Sequence, residues 1–288
     1  MITNHRADEK PSLERSGRLV EIEPTITMTT TETSYITDEQ KQLYKDEGYM
    51  ILESIVPEEH LELLRGNCQE RVDAIEADMA KQGVTRIGLN AKNSRYFAAF
   101  VYRERPEMGR FIFSELIAEI CRATIGNEAY LFWDQYVVKG TDKDSAFSWH
   151  QDSGFGGTVK APEYVTCWVT LDDVTLENGT VYLLPYSEVG IRTLVNHVRD
   201  PRTSDMVGYF GKNPGVPVIL PAGSIAVFSS FVFHRSGPNL TNKLRRVYLP
   251  QYSPTMQLDD DGKQRGQCVP FLKNGEIVWH EGQPYPAA

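Results

Sequence analysis

The residues best equipped for chemistry lie in Phe147-Ser148-Trp149-His150-Gln151-Asp152, where an imidazole and a carboxylate stand two positions apart in a stretch that reads as extended. Side chains at i and i+2 of a strand leave the same face, so His150 and Asp152 are expected to point together into one cavity and take neighbouring positions around a divalent metal. An H-x-D triplet is also common on polar surfaces, so this reading requires a third ligand elsewhere.

Six histidines are available: His5, His60, His150, His197, His234 and His280. His5 lies in a charged N-terminal stretch, His60 reads as an exposed helix residue beside two glutamates, His197 falls in a long connection, and His280 has polar surroundings. His234 differs, because it follows the apolar run Ile225 to Phe233 and precedes the turn Ser236-Gly237-Pro238-Asn239, which sets an imidazole at the rim of a buried sheet. His150, Asp152 and His234 would make the facial triad that binds non-haem Fe(II) and leaves three positions open. Arg245 stands eleven residues beyond His234, on a strand after the Asn239 to Leu244 turn. A guanidinium fixed there can grip a carboxylate with two hydrogen bonds, as an iron enzyme that activates dioxygen with an oxo-acid requires. A zinc hydrolase could use the same three ligands and a bound water, but it leaves Arg245 without a task.

These side chains need elements to hold them. Thr37-Asp38-Glu39-Gln40 has the form of a capping box that opens a helix ended by Gly48, Tyr49 to Leu52 reads as a strand, and Pro57-Glu58-Glu59 opens a longer helix. Leu61, Leu64, Cys68, Val72 and Ile75 recur along that longer helix at helical spacing, as a helix covering a sheet requires. Gln82 to Ser94 reads as a loop, and Phe111 to Ile125 as one helix closed by Gly126. Short strands then follow at Ala129 to Lys139, Tyr164 to Leu171, Thr180 to Leu184, Ile225 to Phe228 and Arg246 to Gln251. Helices collect in the first half and strands in the second, which favours a helical layer packed on an antiparallel β sandwich or barrel. Residues 1–36 show no sustained period and are expected to form a flexible tail, leaving 37–288 as a single domain.

Composition narrows the partners. A formal net charge of −9 argues against nucleic acid and against anionic membranes, both of which select for lysine and arginine. No run approaches the ~18 apolar residues of a membrane span. Cys68, Cys121, Cys167 and Cys268 are widely spaced and read as reduced, mostly buried thiols. A cytoplasmic enzyme for a small molecule is therefore expected, with monomer and homodimer both open.

Taken together, Trp149-His150-Gln151-Asp152, Val165-Thr166-Cys167-Trp168, Glu177 to Pro185, and His234-Arg235-Ser236-Gly237-Pro238-Asn239-Leu240 running to Arg245 resemble the phytanoyl-CoA dioxygenase-like family of Fe(II)/2-oxoglutarate-dependent oxygenases. Asp46-Glu47-Gly48-Tyr49 is similar to the family's opening, and the likeness extends over roughly residues 37–272. The resemblance implies a mainly β chain with a double-stranded β-helix, a jelly-roll or cupin-like core, and N-terminal helices packed on it. It also implies Fe(II) held by His150, Asp152 and His234, and 2-oxoglutarate as co-substrate with its distal carboxylate on Arg245. Ser236 matches a position that assists that carboxylate, Trp168 an aromatic packed near the co-substrate, and Gln135 a position lining the same pocket. Arg246 competes with Arg245, but neighbours on a strand face opposite ways, and the spacing selects Arg245.

Related halogenases replace the carboxylate ligand with a small residue. Asp152 is present here, which points to oxygenation. The implied reaction oxidises an unactivated C–H bond, with hydroxylation, desaturation, cyclisation and epimerisation as outcomes. The substrate expected is a small, partly apolar metabolite such as a natural-product intermediate, with Tyr96 to Phe100 and Phe155-Gly156-Gly157 as candidate walls. An acyl-CoA or carrier-bound acyl group is the alternative, but the sequence contains no clustered stretch of lysines and arginines to meet its phosphates. A non-catalytic jelly-roll binding protein is the alternative from another class.

Overall fold

In a computed structural model of the chain, the described residues are 34–141, 145–156, 162–201, 205–259, 261–283 and 285. Residues 1–33 of the expected tail lie outside them. At the start of the described chain, the backbone N–H groups of Tyr35 and Ile36 donate to the Glu119 carboxylate.

Helix α1 (Asp38–Glu47) forms where the capping box predicts, with Thr37 and Gln40 bonded reciprocally and Gly48 closing the end. Strand β1 (Tyr49–Leu52) and helix α2 (Glu58–Gln82) follow. The expected loop to Ser94 contains a small hairpin, Arg86–Ile87 with Asn90–Ala91, that leads into β2 (Arg95–Ala99). The helix expected over Phe111 to Ile125 is interrupted: a turn at Gly109–Ile112 ends at Phe113, and α3 (Glu115–Thr124) starts anew from Ser114.

The strands that frame the site continue as β3 (Ala129–Lys139), β4 (Phe147–His150), β5 (Val165–Thr170), β6 (Val181–Leu184), β7 (Val216–Pro217), β8 (Ile225–Ser229), β9 (Phe233–Ser236), β10 (Arg245–Ser253) and β11 (Val269–Lys273). They pair into a large sheet in the order β1-β8-β5-β10-β3-β2, with β11 on the first residues of β3, and a small sheet in the order β7-β6-β9-β4. The pairings of both sheets are antiparallel, as a jelly roll requires.

The large sheet is covered on both faces, so successive residues alternate between two interiors. On β5, Val165, Cys167 and Val169 face the helices, where they join Leu64 and Cys68 of α2 and Ile117 and Ile120 of α3. Trp168 faces the small sheet and packs with Val181, Phe228 and Leu249. The same alternation on β10 sends Tyr248 and Tyr252 to the helices and Val247 and Leu249 inward. Hydrogen bonds fasten the helical layer: the Tyr136 hydroxyl donates to Leu64 O at 3.0 Å and the Tyr252 hydroxyl to Ile112 O at 2.6 Å.

Asp134 is a buried acid on the helix side of β3. It accepts from the Tyr248 hydroxyl at 2.7 Å, from the Tyr102 backbone N–H at 3.0 Å and from the Gln267 side chain, and so joins β10, the segment after β2 and the loop before β11. Burial pushes its carboxyl pKa upward, against the pull of these donors. Asp134→Ala leaves buried donors without acceptors and is expected to cost about 3 kcal/mol. Urea unfolding would measure this, and an unchanged midpoint would show that the three segments do not depend on the carboxylate.

Candidate active site

His150 and His234 are direct cross-strand partners of β4 and β9. Register alone therefore brings their rings together, with centroids 4.2 Å apart. Each Nδ1 faces the main-chain oxygen two residues upstream: Ser148 O at 2.7 Å for His150 and Val232 O at 3.1 Å for His234. A proton held there turns each Nε2 into a ligand. One ligand atom from each of His150, Asp152 and His234 lies within 4.8 Å of the others, a spacing that fits one divalent ion.

Asp152 reaches this point by a route different from the one expected. β4 ends at His150, and Asp152 opens a 3-10 turn over Asp152–Gly156, so the i, i+2 pair converges through a turn and not through the pleat of a strand. Gln151 makes the turn by plugging into the interior. Its side-chain amide donates to Thr193 O and Phe231 O, its side-chain oxygen accepts from the Val195 N–H, and its own backbone N–H donates to His197 Nε2 at 2.9 Å. His197 thus belongs to the frame of the site and not to a remote connection. Gly154 lies so close to that imidazole that a Cβ on it would come within 2.4 Å of the ring.

The carboxylate is oriented by the large sheet. Thr166 Oγ1 and Gln251 Nε2 donate to Asp152 Oδ2 at 2.6 and 2.9 Å, and the two residues are register partners on β5 and β10. Asp152 Oδ1 lies 3.3 Å from His234 Nε2. Burial alone would raise the Asp152 carboxyl, but His234, His150 and Thr166 outweigh it and hold the pKa down at about 2. Burial, reinforced by His234, pushes His150 down to about 3, which keeps it neutral. Burial opposes a charge on His234, but Asp152 prevails and raises it. Asp152 thus draws positive charge toward the place a divalent cation would take.

The three ligands line a cavity of about 550 Å³ between the sheets. Inward alternation on β10 places Arg245, Leu249 and Gln251 on its wall, and on β3 Gln135 and Val137. Arg245 is 2% exposed. Its Nη2 donates to Gly179 O at 3.2 Å, its guanidinium lies 5.5 Å from the centre of the Trp168 ring, and its buried Nε and Nη1 have no partner among the described residues. Arg246 faces the other way and grips Asp172 with two hydrogen bonds of 3.0 and 2.6 Å. Ser236, Trp168 and Gln135 also line the cavity.

Beside Ser236 is a residue that the sequence reading did not select. Lys139, register partner of Arg245, is fully buried and donates to Ser236 Oγ at 2.8 Å and to Gly237 O. Burial, together with Arg245, lowers its pKa well below the usual lysine value. Thr166, Gln251 and Lys139 share one signal, a polar residue at an inward position of an otherwise apolar strand. His197 and Gln151 carry no such signal.

Of the candidate walls, Phe97 and Phe155 line the cavity, while Tyr96 turns away and its hydroxyl donates to Glu76. Gly157 lies outside the described residues. His60 is half-buried rather than exposed, with its ring 5.7 Å from that of Phe111. The four cysteines are buried free thiols. No helix among the described residues is long and apolar enough to cross a membrane.

Comparison with known proteins agrees with this geometry. Residues 44–247 match the family model of phytanoyl-CoA dioxygenase (PhyH). A curated relative, phytanoyl-CoA dioxygenase domain-containing protein 1 of Danio rerio, is 23% identical over 259 residues, covering 74% of this chain and 88% of the relative. Among solved structures, the non-haem α-ketoglutarate-dependent carbocyclase SnoK from nogalamycin biosynthesis superposes with a TM-score of 0.59 at 18% identity, covering 80% of this chain and 88% of SnoK. EvdO2 from Micromonospora carbonacea var. aurantiaca, complexed with 2-oxoglutarate, gives 0.59 at 20% identity, covering 76% and 91%. These likenesses fix the fold as a jelly roll. With the family model spanning most of the chain and the His-Asp-His cluster in place, the chain belongs to the phytanoyl-CoA dioxygenase family of Fe(II)/2-oxoglutarate-dependent oxygenases.

Proposed function

We propose that this dioxygenase oxidises an unactivated C–H bond of a small, partly apolar metabolite, with His150, Asp152 and His234 holding Fe(II) and Arg245 holding 2-oxoglutarate. One observation supports this reading most: a buried guanidinium with two unpartnered nitrogens on the wall of the cavity that the ligand cluster also lines. A buried cation left unpaired is costly, and a carboxylate delivered by a co-substrate relieves the cost. The donor set of two imidazoles and one carboxylate suits ferrous iron and leaves positions for the oxo-acid and dioxygen.

Bound iron supplies dioxygen activation, and in the net reaction R–H, O2 and 2-oxoglutarate give R–OH, succinate and CO2. The protein's contribution is positional. Arg245 receives the distal carboxylate with two hydrogen bonds, and Trp168, with its ring centre 5.5 Å from the guanidinium, covers it on one side. Ser236 Oγ accepts from Lys139, so its own proton is free to be donated to the same carboxylate. Thr166 and Gln251 keep Asp152 turned toward the histidines. Phe97, Phe132, Trp133 and Phe155 give the rest of the cavity an apolar lining for the substrate.

Three outcomes are expected. Asp152→Ala lowers succinate release coupled to substrate oxidation by on the order of a hundredfold or more while the fold persists; near wild-type turnover would remove Asp152 from the site. Arg245→Ala raises the 2-oxoglutarate requirement roughly 10- to 100-fold, whereas Arg246→Ala changes it by about threefold at most; the reverse order in steady-state kinetics would assign the anchor to Arg246. Arg245→Met, which replaces a half-satisfied buried cation by an apolar chain, leaves the melting temperature of the ligand-free protein unchanged or raises it by roughly 2–4 °C. A fall of several degrees in thermal unfolding would mean that the guanidinium supports the fold.

A further inference from the structure

Resting on the oxygenase reading, the geometry points to a carboxylate on the substrate itself, received by Arg265 on the aromatic side of the cavity. Four arginines besides Arg245 line the cavity: Arg95, Arg199, Arg235 and Arg265. Arg95 donates to Leu89 O, Arg235 donates to Pro214 O while stacked 3.9 Å from the centre of the Tyr182 ring, and Arg199 is engaged. Arg265 has no hydrogen bond or ion pair from its guanidinium to any described residue, and this group lies over Phe132 at 5.9 Å from the ring centre.

The position of Arg265 is built, although it lies in the loop before β11. Its own N–H donates to Gln257 O at 2.8 Å, its carbonyl accepts from the Cys268 thiol, and the next residues are clamped to the wall of the cavity. The Gln267 N–H donates to Phe132 O at 2.8 Å, and the Gln267 side chain donates to the buried Asp134. Gly266 lies so close that a Cβ on it would come within 2.3 Å of Phe132 O. These contacts fix the backbone from which Arg265 projects, so little backbone entropy is lost when a ligand arrives.

The surroundings define what such an anion carries. Phe132 contacts Tyr164 and Trp133, with ring centres 5.1 and 6.2 Å apart, and Phe155 meets His150 edge-on at 5.2 Å. An aromatic or alicyclic body fits against these rings, with one end toward His150 and Asp152 and a carboxylate toward Arg265. A guanidinium over an aromatic face pairs with a planar carboxylate in two-pronged fashion, and one arginine balances the single charge of such a monoanion.

The test is anaerobic calorimetry on Fe(II)-loaded protein, with and without saturating 2-oxoglutarate, using 3-phenylpropanoate and its neutral counterpart 3-phenylpropanamide as probes. The carboxylate is expected to bind at least about tenfold more tightly than the amide. Arg265→Gln should erase that difference with 2-oxoglutarate binding and melting temperature unchanged, and Arg265→Glu should shift preference to 3-phenylpropylamine. Equal affinities in the wild type, a difference that persists in Arg265→Gln, or no binding of either probe would overturn the proposal. Absence of heat from 2-oxoglutarate would instead count against the oxygenase reading, and the titrations made without it would still report on Arg265.

Discussion

Most of this molecule follows from one constraint, the burial of the large sheet on both faces. Residues along β3, β5 and β10 cannot face solvent, so each must serve either the helical core or the cavity between the sheets. The division runs with a period of two. It makes Arg245 a cavity residue and sends Arg246 to Asp172, sends Tyr248 to Asp134 and leaves Leu249 inside, and aligns Thr166 with Gln251 behind the Asp152 carboxylate. A slip of one residue on β10 would exchange the whole set. The helices and the Asp134 junction lock that register.

The cavity concentrates unbalanced charge. Arg95, Lys139 and Arg245 occupy register positions directly across three adjacent strands, an arrangement of like charges that Asp205 on the same cavity offsets in part. Lys139 spends its hydrogen bonds on Ser236 and Gly237, while Arg245 keeps two nitrogens unpartnered. On the proposed reading, a carboxylate entering this end of the site would relieve the cost of those unpartnered nitrogens. On the metal side, Asp152 Oδ1 and His234 Nε2 lie 3.3 Å apart, so two of the three ligand atoms are already neighbours.

Much of this was legible in the residues themselves. The capping box at Thr37, the strand from Ala129 to Lys139 and the apolar run leading to His234 carry local signals strong enough to survive tertiary packing. Alternation allowed only one of Arg245 and Arg246 to face the cavity, and the spacing from His234 selected Arg245. The path of Asp152 was not legible, because an H-x-D triplet has the same spacing whether the chain continues as a strand or turns; the plug formed by Gln151 depends on the Thr193, Val195 and Phe231 backbones, all more than forty residues away. His197 was missed for the same reason, since only a long-range contact reveals it. The break at Phe113 did leave a local sign, because Ser114-Glu115, a favoured N-cap residue type followed by an acid, stands where α3 starts anew.

The central claim, that one ferrous ion and one 2-oxoglutarate meet at His150, Asp152 and His234, is tested most directly by anaerobic visible spectroscopy. Fe(II) added to the protein with 2-oxoglutarate should give a weak visible charge-transfer band that saturates at one equivalent of each and is absent from His234→Ala. No band in the wild type, or an undiminished band in that variant, would contradict the triad.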